Sequence, residues 1–219
     1  MEELLGLLGK RDADGIISLI EANPGLLDLK DKSGATGFMQ ILYHRIPDAA
    51  AKANELKTAF IFEESIATGR LEEVTTSVEE NEDLVSNFLA DGFTPIGLAS
   101  FFGQVEVARF LFEQGADPSV CADNPMKVNA MHAAAAIGNH ELMELFVSNG
   151  YDANIPQMNN ITPVQSAAYR GDLEMVKLLV RHGANPKIAS VDDIDALGYA
   201  REGGHEEVLF YLKSVKPME

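Results

Sequence analysis

A single cysteine, Cys121, stands in this chain of 219 residues, which excludes an internal disulfide and a cysteine-based zinc site. No uninterrupted apolar stretch approaches the roughly 18 residues needed to span a bilayer. Positive charge is scarce as well: 17 Lys and Arg face 34 Asp and Glu, a formal net charge of -17. That charge repels a phosphate backbone and an anionic membrane surface, so neither nucleic acid nor membrane is expected as a partner. It suits solubility, and it favours basic partners through faster encounter. The first residues, MEELLGLLGKRDADG, place acids ahead of a short apolar cluster and bases behind it, the reverse of a secretory leader. A cytoplasmic protein is expected.

What the chain has is periodicity. With 46% hydrophobic residues it can bury a substantial core, and four segments align along it, starting at Thr94, Asn129, Thr162 and Asp195. The starts lie 35, 33 and 33 residues apart, and each is followed nine residues later by a glycine: Gly103, Gly138, Gly171 and Gly204. Each unit holds a small-residue helix, a glycine break, and a second helix with apolar residues at helical spacing, as in Val105, Val107, Ala108, Phe110 and Leu111. Neither helix can bury its apolar face alone, so the units must stack. Earlier segments keep the phase less strictly. Starts at Glu2, Thr36, Phe60 and Thr94 are spaced 34, 24 and 34, so the unit at Thr36 is about ten residues short and is expected to lack its projecting turn. Pro47 should end its first helix, because proline in a helix interior costs about 3 kcal/mol, leaving 48–57 as a shortened second helix.

Asp91, Gly92, Thr94 and Pro95, then Gly115, Ala116 and Asp117, together with Thr162, Pro163, Gly183, Ala184 and Asn185 in a later unit, make residues from about 90 to 214 similar to ankyrin repeats, of the bacterial type. The resemblance implies an all-α fold, an ankyrin-repeat solenoid of stacked helix-turn-helix units with projecting β-turn loops. One domain over 1–219 is expected: divergent repeats over 1–59 including the short unit, a divergent repeat over 60–93, well-formed repeats over 94–194, and a capping repeat over 195–219. Glu206, Glu207, Lys213 and Lys216 suit that cap.

No constellation in the sequence carries chemistry. His132 takes the place of the family's motif histidine, for which the resemblance implies a hydrogen bond between neighbouring repeats; His140 and His205 adjoin the mid-repeat glycines, and His182 precedes a helix-ending glycine. Cys121 has no adjacent histidine and reads as a loop residue rather than a nucleophile. The acids at Glu79, Glu80, Glu82 and Asp83 lack the alternating oxygen ligands of a calcium loop and read as a solvated helix end. GATG at Gly34 is too short for a phosphate loop, and neither GxSxG nor HExxH occurs. No catalytic residue, cofactor or metal is expected, and the protein is not expected to be an enzyme.

The resemblance also implies where a partner protein would sit: on the concave side, against the turn before each start and the last residues of each first helix. In this chain those positions are Asp91, Phe93, Phe101 and Phe102; Met126, Val128 and Ile137; Met158, Asn159, Ile161, Tyr169 and Arg170; and Asp192 with Glu202. The first three sets are apolar, as anchors within a polar rim would be. The competing reading is that Phe101 or Tyr169 packs beneath the neighbouring turn. Two extra residues in CADNPMKVN enlarge one projecting loop, a place where function concentrates. The expected function is protein–protein interaction by a monomer. An acidic decoy filling the basic site of a nucleic-acid-binding protein is the alternative. A housekeeping module and a translocated effector read alike.

Overall fold

The computed structural model of the chain describes residues 1–215; Lys216, one of the expected cap residues, lies outside them. Among the described residues, fourteen α-helices form seven consecutive pairs. The first helices are α1 (Glu2–Lys10), α3 (Gly37–Tyr43), α5 (Phe62–Thr68), α7 (Pro95–Phe102), α9 (Ala130–Ile137), α11 (Pro163–Arg170) and α13 (Ala196–Glu202). Their partners are α2 (Ala13–Ala22), α4 (Pro47–Leu56), α6 (Leu71–Glu80), α8 (Val105–Glu113), α10 (His140–Ser148), α12 (Leu173–Arg181) and α14 (Glu206–Ser214). First helices pack on first helices and second on second, so the chain builds two layers. The only β pairing among the described residues is an isolated bridge between Lys30 and Thr36. The all-α solenoid implied by the resemblance is the architecture observed.

Caps fix where the helices begin. Thr36, Thr94, Asn129 and Asp195 each accept, on a side-chain oxygen, the backbone N–H of the residue three further on, at 2.9 to 3.2 Å. Asp12, Asn139 and Asp172 do the same for second helices. Each cap contributes about 1 kcal/mol. The first helices end on a left-handed residue, and at Gly69, Gly103, Gly138 and Gly171 the following unit covers it. At Gly171, with φ of +79°, a Cβ would fall 2.4 Å from Nδ1 of His205; the imidazole occupies that space, and its Nε2 bonds to the carbonyl of Tyr169 at 2.9 Å.

The short unit lacks its projecting turn, as expected, but its second helix is not shortened. Its second helix, α4, has a full ten residues, with Pro47 at the first helical position, where a missing N–H leaves no bond unmade. The chain is lost from the connection instead. Only five residues (57–61) join α4 to α5, against fourteen in 23–36 and in 81–94, and sixteen in the enlarged loop 114–129. The projecting turn is gone, and its two neighbours meet: a Cβ on Gly34 would sit 2.9 Å from Cβ of Ala90. Elsewhere adjacent loops are tied by backbone bonds, Asp123 N–H to Gly92 carbonyl at 2.7 Å and Val191 N–H to Asn159 carbonyl at 3.0 Å.

The missing loop also divides the core. Leu4, Leu8, Ile16, Ile20, Phe38 and Ile41 belong to one buried cluster, confined to the first two units. Met39, Ile66, Val74, Leu98 and the later units form the other. A buried polar junction lies between them. Glu64 is fully buried; one carboxylate oxygen accepts from the Thr36 hydroxyl at 2.7 Å, the other from the Ile61 N–H at 3.1 Å and from the Lys57 ammonium at 3.0 Å. Lys57, whose side chain is also buried, bonds Asp28 in addition. Removing one partner of such a pair strands the other charge, which costs about 3–5 kcal/mol. Lys57→Met should therefore lower stability in urea unfolding by that amount, and Lys57→Met with Glu64→Leu should recover most of it. A single variant within about 1 kcal/mol of the parent would show that Glu64 does not depend on the pair.

Candidate functional site

The residues two positions before the left-handed ends of the first helices form a row along the solenoid. After α1, which ends on Arg11, the ends are Arg45, Gly69, Gly103, Gly138, Gly171 and Gly204, all with positive φ. The row is thus Tyr43, Ala67, Phe101, Ala136, Tyr169 and Glu202, in which large and small side chains alternate from Tyr43 to Tyr169. Two recesses open between this row and the projecting loops.

The first, about 460 Å³, is lined by Tyr43, Asp91, Phe93, Phe101 and Met126, with Gln40 and Asn124 at its margin. Tyr43 dominates it. Its ring packs on Phe93, Phe101 and Phe102 with centroids 6.4, 6.1 and 5.5 Å away, and its hydroxyl donates to the Asp91 carboxylate. Burial, then the charge of Asp91, raises the Tyr43 phenol above its ordinary pKa. Burial likewise raises the carboxyl of Glu63, with Glu64 and Asp91 adding to the effect. The Arg45 guanidinium lies 5.1 Å from the Phe101 ring centroid.

The second recess, about 430 Å³, has Ala136 in the row between Phe101 and Tyr169, with Ile161, Ser166, Arg170 and Tyr199 around it. Tyr169 and Tyr199 meet edge to face at 6.3 Å. One Nη of Arg170 donates to the Ala136 carbonyl at 3.3 Å.

The predicted contact residues distribute unevenly over this surface. Phe93 is only 4% exposed and packs under Tyr43, so it is a packing residue rather than an exposed anchor, because it projects back from its loop toward the core. Phe101 and Phe102 are half-buried in the same cluster. Val128 packs against the main core, and Ile137 covers Gly103. Asp91 is engaged by Tyr43. Tyr169 stays 57% exposed, Met126 and Met158 are nearly as open, and Asn159, Arg170, Asp192 and Glu202 face solvent. Ile161 lines the second recess. Sequence reasoning missed Tyr43, Ala136 and Tyr199. Tyr43 could have been found from the row position alone, had Arg45 been read as the left-handed end of its helix.

His132 is 1% exposed, and burial lowers its pKa to about 4, with polar backbone at Ile155 and Ile161 opposing the shift. The ring faces the backbone of Ile155 and Ile161 in the loop that leads to the next repeat, the side on which the resemblance implies its inter-repeat hydrogen bond. The half-exposed His140 also reaches the next unit, bonding Asp172 at 2.9 Å. Burial raises the Cys121 thiol above its ordinary pKa, which leaves less reactive thiolate. Among the described residues no three His, Cys, Asp or Glu side chains converge as a metal site, and no helix is long and apolar enough to cross a membrane.

Two family models match the sequence. "Ankyrin repeats (3 copies)" covers residues 130–217, and "Ankyrin repeat" covers 91–123. Among curated proteins, the human DNA-binding protein RFXANK is 41% identical over 56 residues, which is 26% of this chain and 22% of that protein. The match therefore spans about a fifth of the relative.

Because the unfolded imidazole titrates near 6.5 and the folded one near 4, the unfolded state binds the proton first as pH falls. Stability from this group should be intact above about pH 6.5, decline on acidification, and level off below about 4, a total of about 3 kcal/mol. Urea unfolding at stepped pH should show this extra slope in the parent and lose it in His132→Leu; equal slopes would mean that the histidine does not titrate as its burial requires.

Proposed function

We propose that this chain, which belongs to the ankyrin-repeat family, is a non-catalytic module that holds a partner protein in the groove between its first-helix row and its projecting loops. Ankyrin repeats are protein–protein interaction modules. The observation that carries the groove assignment is the set of open apolar side chains, Tyr169, Met126 and Met158, beside two recesses. Aromatic anchors next to pockets supply most of the energy of protein interfaces, and methionine adapts to irregular surfaces. The rest of the groove is braced: Tyr43 holds Phe101 and Phe102, and loop-to-loop bonds hold the tips, so binding loses little conformational entropy.

DNA binding is a property given in the name of the human relative, and we do not carry it to this chain, whose charge of -17 removes the electrostatic attraction to phosphate. That charge favours a second reading, the acidic decoy. Glu72, Glu79, Glu80, Glu82 and Asp83 are exposed on α6 and the turn after it, on the second-helix layer rather than in the groove.

The two readings separate in one experiment. The wild-type chain and a Met126→Ala, Tyr169→Ala variant are used to capture partners from native lysate at low and high salt. The groove reading expects a partner lost with the variant, whose affinity should drop about 30-fold for a hot spot worth about 2 kcal/mol, while its melting is unchanged. A partner that ignores the variant and elutes with salt would replace the groove by the acidic outer face.

A further inference from the structure

The second recess has a shape and a charge that specify more than an apolar contact. Its position in the row belongs to Ala136, between the large side chains of Phe101 and Tyr169, and Ala136 is itself exposed. The recess exists because that side chain is small. Tyr169, Tyr199 and Ile161 supply apolar walls, and about 430 Å³ falls within the roughly 300–1,000 Å³ of sites that engulf small groups. One lining residue carries a charge, Arg170. A single guanidinium nitrogen reaches the Ala136 carbonyl, whereas the side chain has five N–H donors. The nearest acid of the same turn, Asp172, is committed to His140 and to the N-terminus of α12. The Nε and Nη2 atoms of Arg170 lie over Gly138 near the Asp172 carboxylate, but among the described residues Arg170 forms no ion pair within 4 Å, so its charge stands open to a carboxylate at the edge of the apolar hole.

Resting on the groove reading, we propose that this recess receives one large apolar side chain of an extended partner segment, and that Arg170 pairs with an Asp or Glu one or two residues away from it. Charge complementarity selects the acidic neighbour. The segment is extended because the groove continues to the first recess, two units away; at roughly 8–10 Å per packed helix that is about 20 Å, or about six residues of extended chain. The local preference is opposite in sign to what the net charge suggests, since a contact responds to the group it touches.

Ten-residue peptides with randomised positions, displayed on phage, are selected against the full chain, and the enriched peptides are then titrated by fluorescence anisotropy against the parent and its variants. The parent should enrich a large apolar residue within two positions of an Asp or Glu. Ala136→Leu, placed on an exposed site so that the fold is kept, should weaken those peptides at least ten-fold, and Ala136→Ser should bind as the parent does. Arg170→Glu should exchange the acidic preference for Lys or Arg. Peptides that tolerate Ala136→Leu yet are lost with Met126→Ala would overturn the recess and leave the groove reading standing. Basic residues beside the apolar position in the parent selection would overturn the role of Arg170. Peptides indifferent to every groove substitution, or no enrichment at all, would remove both readings.

Discussion

No first helix in the described chain exceeds nine residues, and helices that short do not persist alone in water, because nucleation is costly and few hydrogen bonds follow it. Every unit therefore takes its stability from the unit beside it. The features that recur most strictly are those that permit close stacking: small residues such as Ala99, Ala134, Ala135, Ala167 and Ala168, all fully buried, and left-handed glycines whose missing side chains leave room for the next unit's His205 or Gln104. Stability accumulates along the array in nearest-neighbour steps.

One step is built differently. Between the second and third units the projecting loop is absent, and α3 is shared by the two apolar clusters, with Phe38 and Ile41 in one and Met39 in the other. Glu64 of α5 ties the third unit to Thr36 and Lys57, which flank the two helices of the second. Every lone pair that matters on Glu64 is answered, which is what a buried carboxylate requires. Such a junction fixes register more than it adds stability, since a slip by one residue would strand a charge, whereas an apolar contact would slide. The units before it form a small cluster of their own, and they are held to the rest by specific polar geometry, by the Tyr43 ring, and by Met39 and Ala35, which pack into the main cluster.

Much of this was legible in the sequence. The glycine spacing and the Thr-Pro pairs after residue 90 determine helix, turn and loop, because each residue type there answers a backbone requirement. The short unit was legible as a deletion of about ten residues that removes its projecting turn, but not as one that leaves the second helix whole. The sequence of α4, PDAAAKANEL, offers only Ala49 and Ala53 as buried positions, too weak a periodicity to mark a full helix. The contact residues were legible as a surface and not as a shape. Position alone could not tell Phe93, which turns inward, from Met126, which does not, and the register that would have revealed Tyr43 was hidden because Arg45 takes the left-handed conformation usually given to glycine.

The deletion and the groove are linked through the same side chain. With a full-length loop between α4 and α5, the loops 23–36 and 81–94 would stand two units apart with that loop between them. Its loss brings Gly34 against Ala90 and lets Tyr43 reach past the small Ala67 to Asp91, Phe93 and both phenylalanines of α7. Part of the apolar stripe is thereby consumed as packing, which closes one end of the groove and shapes the first recess. No such loss occurs around Ala136, where loops of ordinary or greater length flank the unit and none of the described residues fills the recess before Tyr169. The alternation of large and small residues thus has two outcomes on one row. Where a loop is missing, a neighbour within the chain fills the gap above the small residue; where the loops are complete, the gap stays open.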